Sequence, residues 1–405
     1  MHLSVLVAAA SVLGALPAFA QEDSDPLKVY TISAENIEAS FIPYGARLTN
    51  LLVPDRNGNA QDVVAVGYDD PQGWVDDTLT DHTYAGSVLG RYANRIKNGT
   101  FELDGVTYEI PKNDNDVQTL HGGKIGYDQK NWTVTSQTEN SITFTLLDVA
   151  SEGFPGDVLT NATFTVGSVD GKPQLTTKSV SVSLTERTPI MLSNHNYWNL
   201  NGFKEATVLN NTYLHMPLSG RFIATDSILA PNGELGDVAA DFDGSLDFRT
   251  RKLLGEHINS TGDMCGEGCH GYDHCFLVDR EPDGPDSSSS SSPPDPDPLV
   301  HMLSLSSTTT GITMDVSTNQ RAVQVYTCNW MGGNIPVKQS QIDRNEEEGV
   351  GGVENVLKYG CVAIEPQGWI DGINNPDWGQ IPYQVFGPED GEAVNWAEYT
   401  FGVEE

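Results

Sequence analysis

The feature that most constrains this chain is a period-two alternation of apolar and polar side chains that recurs along most of its length. Val29–Ile37, Gly45–Val53, Gly99–Ile110, Trp132–Val149, Leu159–Val166 and Val180–Leu184 all show it. Alternation at that spacing puts the apolar residues on one face of an extended strand. Within Phe101–Ile110 the dipeptide Asp104-Gly105 supplies the strongest hairpin turn signal in the chain. Few stretches sustain helical periodicity. Glycine is abundant, at 40 residues, and Thr, Val, Ser and Asn fill the alternating stretches, a mixture suited to strands joined by turns. The pattern predicts an all-β chain, a large sandwich of antiparallel strands.

One segment interrupts it. Glu281–Pro298 contains the serine run Ser287–Ser292 between Pro and Asp residues, and it has no apolar side chains with which to build a core. A domain boundary there is one reading. The strand-like segments on either side, Cys275–Val278 and Leu299–Leu305, favour a disordered insertion at 281–298 inside a single domain over 21–405. The chain's 405 residues, 38% of them apolar or aromatic, are enough for one large core.

The amino terminus reads as an export signal, residues 1–20. Leu3–Phe19 carries no charge, and Ala18-Phe19-Ala20 is a small-x-small cleavage pattern followed by polar Gln21-Glu22-Asp23. The competing reading is an uncleaved anchor, but the apolar run is short for a bilayer span. A secreted, extracellular protein is therefore expected. Sequons at Asn98, Asn131, Asn161, Asn210 and Asn259 suit the same route and predict a glycoprotein.

Charge narrows the partners. With 22 basic and 56 acidic residues the formal net charge is −34, which repels phosphate backbones and anionic headgroups. Neither nucleic acid nor a membrane is an expected partner, whereas a neutral ligand feels neither repulsion. All five cysteines lie in the carboxy-terminal part: Cys265, Cys269, Cys275, Cys328 and Cys361. Cys265-Gly-Glu-Gly-Cys269 could be half a metal site, but without a second pair at ligand spacing a local disulfide loop is the better reading. The odd count leaves at least one thiol unpaired within a monomer.

Chemistry concentrates in four segments: Gly90–Ile96 (GRYANRI), Thr119–Gly123 (TLHGG), Ser193–Leu200 (SNHNYWNL) and Ala363–Trp369 (AIEPQGW). Gly271–His274 and Val323–Tyr326 join them. No metal or nucleotide fingerprint appears. Aromatic rings stack on a pyranose face, while amide and guanidinium groups bond its hydroxyls. Singly, each residue has a plain structural explanation: Arg91 or Arg95 pairing a surface carboxylate, His121 in a turn, His195 as a satisfied core histidine. Glu365 follows the apolar run Val362–Ile364, where a carboxylate is costly unless it has a partner or a task.

In this order the four segments resemble the aldose 1-epimerase (galactose mutarotase) family, a likeness running from roughly Tyr44 to Phe386. The resemblance implies a galactose mutarotase-like β-supersandwich and a cofactor-independent isomerase acting on a free monosaccharide. Position by position, it implies that Glu365 is the base, that His195 is the proton donor and that His121 is the second histidine of the site. It further implies that Asn94, Arg95, Asp273 and Gln324 bind sugar hydroxyls, with Asn196 and Tyr197 flanking the same site. Pro366, Gly368 and Trp198 depart from the family's usual residues and blur the sugar preference.

Ring opening of a hemiacetal needs a proton removed from the C1 hydroxyl and one delivered to the ring oxygen, which a carboxylate and an imidazole on opposite sides can do together. A nearby carboxylate, with Asp273 the candidate, is expected to raise the histidine pKa. The rival from another class is a non-catalytic carbohydrate-binding protein on the same scaffold. A hexose-phosphate epimerase needs a basic cluster that this chain lacks near its motifs. A glycosidase needs two carboxylates flanking the bond and leaves the two histidines without a purpose. A monomer or weak homodimer is expected.

Overall fold

A computed structural model describes residues 25–280 and 296–405. The expected leader (1–20) and most of the 281–298 insertion lie outside the described residues. Antiparallel strands dominate. The larger sheet has nine, in the order Thr133–Gln137, Ser141–Val149, Asp157–Val169, Lys172–Ser183, Ala393–Val403, Ile312–Thr318, Val300–Ser307, Thr212–His215 and Lys252–Leu253. A second sheet of six runs Asn196–Trp198, Val362–Gln367, Ala322–Tyr326, Asp273–Leu277, Arg221–Thr225 and Pro231–Asp237. Four further strands over Tyr30–Asp62 form a third sheet.

The alternation read from the sequence becomes burial. Along Asp157–Val169 buried and half-buried residues alternate for eleven positions, so one face packs inward and the other meets solvent. Phe41, Phe144, Phe164, Trp198, Phe276, Ile364, Tyr399 and Phe401 belong to one apolar cluster drawn from all three sheets. Val362–Gln367 differs, because all six of its residues are buried. One face of that strand packs on the core, and the other forms the floor of a cavity.

Boundaries depart from expectation in places. Val29–Ile37 is not one strand; it breaks between Tyr30–Ala34 and Ile37–Ile42, where Asn36 turns the chain with a φ of 62°. Trp132–Val149 likewise divides into two paired strands. Asp104 (φ 52°) and Gly105 (φ 78°) form the hairpin turn between Thr100–Leu103 and Val106–Glu109, as the dipeptide predicts. Cys265 pairs with Cys269 in a local loop, Cys328 pairs with Cys361, and Cys275 is the free, buried thiol.

Candidate active site

The six-stranded sheet builds a cavity floor by register. Gln324 sits opposite Glu365, Asp273 opposite Tyr326, and Tyr197 opposite Ala363. Residues directly opposite, and those two apart along a strand, share a face. Glu365, Gln324, Asp273, Tyr326 and Tyr197 therefore all look into the same space. Loops close the sides. The backbone of His195 is pinned to a neighbouring segment, its N–H donating to the Ser87 carbonyl at 2.9 Å and its carbonyl accepting the Gly86 N–H at 2.8 Å.

The Gly90–Ile96 and Thr119–Gly123 segments meet as one unit. Arg95 pairs with Leu120 in a short ladder, and the Asn94 N–H donates to His121 Nδ1 at 3.1 Å. Gly122 has a φ of +89°, and a Cβ there would lie 2.0 Å from the Gly90 carbonyl oxygen, so only glycine permits this approach. His121 itself takes a left-handed φ of 50°. Arg91 belongs to the frame: it is buried, bonded to Asp148 at 2.8 Å and to the Pro155 carbonyl.

The result is a cavity of about 350 Å³ lined by Asn94, Arg95, His121, His195, Tyr197, Asp273, Gln324 and Glu365, among others. Eight of the nine residues singled out in the sequence thus converge. The exception is Asn196. It pairs with Ile364 on the core-facing side and does not line the cavity, because successive strand residues point to opposite faces. Trp198 also lies in the core. Several other lining residues had not been singled out. Tyr84 packs on His121 with ring centroids 4.6 Å apart, and His82 stacks on Tyr84 at 3.9 Å. Leu229 and the exposed Trp330 lie at the rim.

At the centre, His195 Nε2 lies 3.5 Å from Glu365 Oε1, and the His121 and His195 rings meet edge to face at 5.3 Å. Among the described residues Glu365 Oε2 has no hydrogen-bond partner although it is buried. A polar relay runs beside it: Asn94 Nδ2 donates to Gln324 Oε1 at 3.2 Å, and Gln324 Nε2 donates to Asp273 Oδ1 at 2.6 Å. Arg95 is oriented by Asp114, its Nε donating to Oδ2 at 3.0 Å.

Burial governs the protonation of the central groups. It pushes the Glu365 carboxyl well above the usual range, helped by Asp273. It holds His121 well below and lowers His195 to about 3. The expected upward push on the histidine is overturned, since desolvation of the charged imidazole outweighs any nearby carboxylate. Asp273 is itself raised by burial.

His121, His195 and Glu365 could each place a ligand atom within 4.8 Å of the others, a spacing compatible with a metal ion. The donor set does not suit one. His121 Nδ1 spends its lone pair on the Asn94 N–H, which leaves Nε2 carrying the proton as a donor rather than a ligand. The arrangement is built to hold and move protons around a small polar molecule.

Known proteins bear on which molecule. The sequence pattern described as aldose 1-epimerase matches residues 28–384. A "Probable aldose 1-epimerase" of Arthroderma benhamiae is 55% identical over 388 residues, covering 93% of this chain and 87% of that protein. The galactose mutarotase of Sus scrofa is 28% identical, covering 90% of this chain and 91% of its own. Among solved structures, the GalM/aldose epimerase homologue from C. elegans superposes with a TM-score of 0.74 at 26% identity, over 93% of this chain and 99% of that one. Galactose 1-epimerase from Lactobacillus acidophilus, at 21% identity, shares the fold with a TM-score of 0.64 over 93% and 94%. The galactose mutarotase-like fold, the convergent cavity and these matches lead to one conclusion: the chain belongs to the aldose 1-epimerase family.

Proposed function

We propose that the chain interconverts the α and β anomers of free aldohexoses such as glucose and galactose, with Glu365 and His195 carrying the two protons that move. The observation that supports this most directly is the 3.5 Å approach of a buried carboxylate and a buried imidazole in a cavity sized for a monosaccharide. In ring opening, the Glu365 carboxylate takes the C1 hydroxyl proton while protonated His195 gives one to the ring oxygen. The C1–O5 bond breaks with its electron pair going to O5, and C1–O1 becomes a carbonyl. Rotation about C1–C2 and the reverse transfers close the ring on the other face.

Burial disfavours the charged pair from which this sequence starts, since it raises the Glu365 carboxyl and lowers His195. The open-chain step leaves a neutral carboxylic acid beside a neutral imidazole, the pair that burial favours over separated charges. Ring opening thus annihilates charge inside a low-dielectric pocket, where that is worth most. His121 Nε2–H serves as a second donor beside His195. Asn94, Arg95, Gln324, Asp273 and Tyr197 orient the hydroxyls, and no cofactor enters any step.

Polarimetry on freshly dissolved α-D-glucose and α-D-galactose tests the reading. Mutarotation faster than the buffer blank is expected, and a rate equal to the blank rejects it. Secretion and N-glycosylation belong to the same proposal. The apolar leader and the small-x-small pattern support export, and Asn98, Asn210 and Asn259 are exposed sequons. Amino-terminal sequencing and glycosidase treatment of protein from a eukaryotic culture medium test both. Sedimentation tests the proposed assembly state, a monomer or weak homodimer.

A further inference from the structure

A second cleft of about 550 Å³ lies beside the catalytic cavity and shares no lining residue with it. The strand Asp273–Leu277 separates the two: Asp273 looks into the catalytic cavity, and the next residue, His274, lines the other side. His274 is 5% exposed. Its Nδ1 accepts the Asp273 backbone N–H at 3.0 Å, which fixes the proton on Nε2. Among the described residues Nε2 donates to nothing. The imidazole lines the cleft, so this donor is open to a molecule lying in it. Phe222 meets the imidazole edge to face at 5.8 Å, and Phe242 lies 6.1 Å from Phe222 while remaining 48% exposed at the lip.

Four carboxylates complete the lining, and three of them are anchored through one oxygen, Glu234 being the fourth. Asp226 Oδ1 accepts the Ile228 and Ala230 N–H groups, Asp263 Oδ1 accepts that of Gly268, and Asp241 Oδ2 accepts that of Asp237. The second oxygen of each makes no hydrogen bond among the described residues. A metal ion is a poor occupant, because the one cluster of metal-capable groups among the described residues is the catalytic one. An anion is repelled by the carboxylates and by the net charge of −34. The lining matches a molecule rich in hydroxyl donors for the carboxylate oxygens, with an apolar face for the exposed phenyl ring and an acceptor for the imidazole N–H.

We propose that this cleft is a second, non-catalytic saccharide site that takes a neutral pyranose ring, with Phe242 as its stacking platform and His274 as its hydrogen-bond donor. The proposal does not depend on the assignment of the catalytic protons. Binding of D-galactose to the intact protein, followed by equilibrium dialysis, should saturate at two equivalents. Phe242→Ala, a change at an exposed position, should weaken the second event about tenfold or more. His274→Leu should abolish it, and in both variants polarimetric kcat/KM should stay within about twofold of wild type. Saturation at one equivalent, or at two equivalents untouched by either substitution, overturns the proposal. Two equivalents without mutarotation reject the catalytic reading and support this one.

Discussion

The floor and the wall of the catalytic cavity are made by different means. On the floor, Glu365, Gln324 and Asp273 stand on paired strands, and their spacing is set by the ladder itself. On the wall, His82, Tyr84, Asn94 and His121 all adopt positive φ, and contacts between distant loops hold them, such as His82 Nε2 to Asp128 at 2.9 Å. Strand-mounted groups inherit the stability of the sheet. Loop-mounted groups depend on a few bonds and on unusual backbone conformations. In the proposed mechanism the chemistry follows this division: the floor supplies the base and the wall supplies the donors that must fit the sugar.

The largest test of the comparison is on the floor. Glu365→Gln should lower kcat by about 10³-fold, the range for loss of a positioned acid–base group, while the dissociation constant for galactose changes little. Polarimetry and calorimetry measure the two, and near-wild-type turnover would remove Glu365 from the base role. His195→Asn should cost about 10²-fold or more, whereas Trp198→Phe, a change in the core behind the same segment, should act mainly on thermal stability. Equal losses of activity in those two variants would mean that the histidine is only structural.

On the wall, Asp114→Asn should release Arg95 and raise KM about tenfold, the scale of one charge-assisted hydrogen bond, with a smaller effect on kcat. A fall in kcat at constant KM would place Asp114 in the chemical step instead.

The smallest expected effect concerns stability. Burial raises the Glu365 carboxyl above its ordinary 4.5. Its contribution to stability is therefore full below that value and is lost as pH rises, because the unfolded chain gives up the proton first. Glu365→Gln should match wild type in Tm near pH 4 and exceed it by about 1–3 °C at pH 8. Scanning calorimetry at both pH values checks the sign, and a Gln variant less stable at pH 8 would mean that the carboxylate is paired rather than stranded.

The floor was legible only through the resemblance, which marked Glu365, Gln324 and Asp273; none lies in the alternating stretches, and it is side-chain alternation along paired strands that turns them to one face. The same alternation explains the one misplacement: Asn196 lies one step from Tyr197 and so points into the core. Tyr84 and His82 left no local trace, since their neighbours His121 and Asp128 lie about forty positions away in loops. Asp114 had a weak signal, a polar run shortly before Thr119–Gly123. Burial, which sets the protonation of His195 against the expectation from nearby charge, depends on how the sheets stack and is not written in any motif.

Gly122 carries one more consequence. Its contact with the Gly90 carbonyl, which also receives the Tyr127 N–H at 3.1 Å, makes two seemingly independent signatures a single hinge pin. A methyl group there would disturb the imidazole of His121 and the guanidinium of Arg95 in the same movement. Adapting the enzyme to a different sugar by changing this joint would therefore alter recognition and proton delivery together. Room for adjustment lies at the lip, where the exposed Trp330 can vary without disturbing the pin.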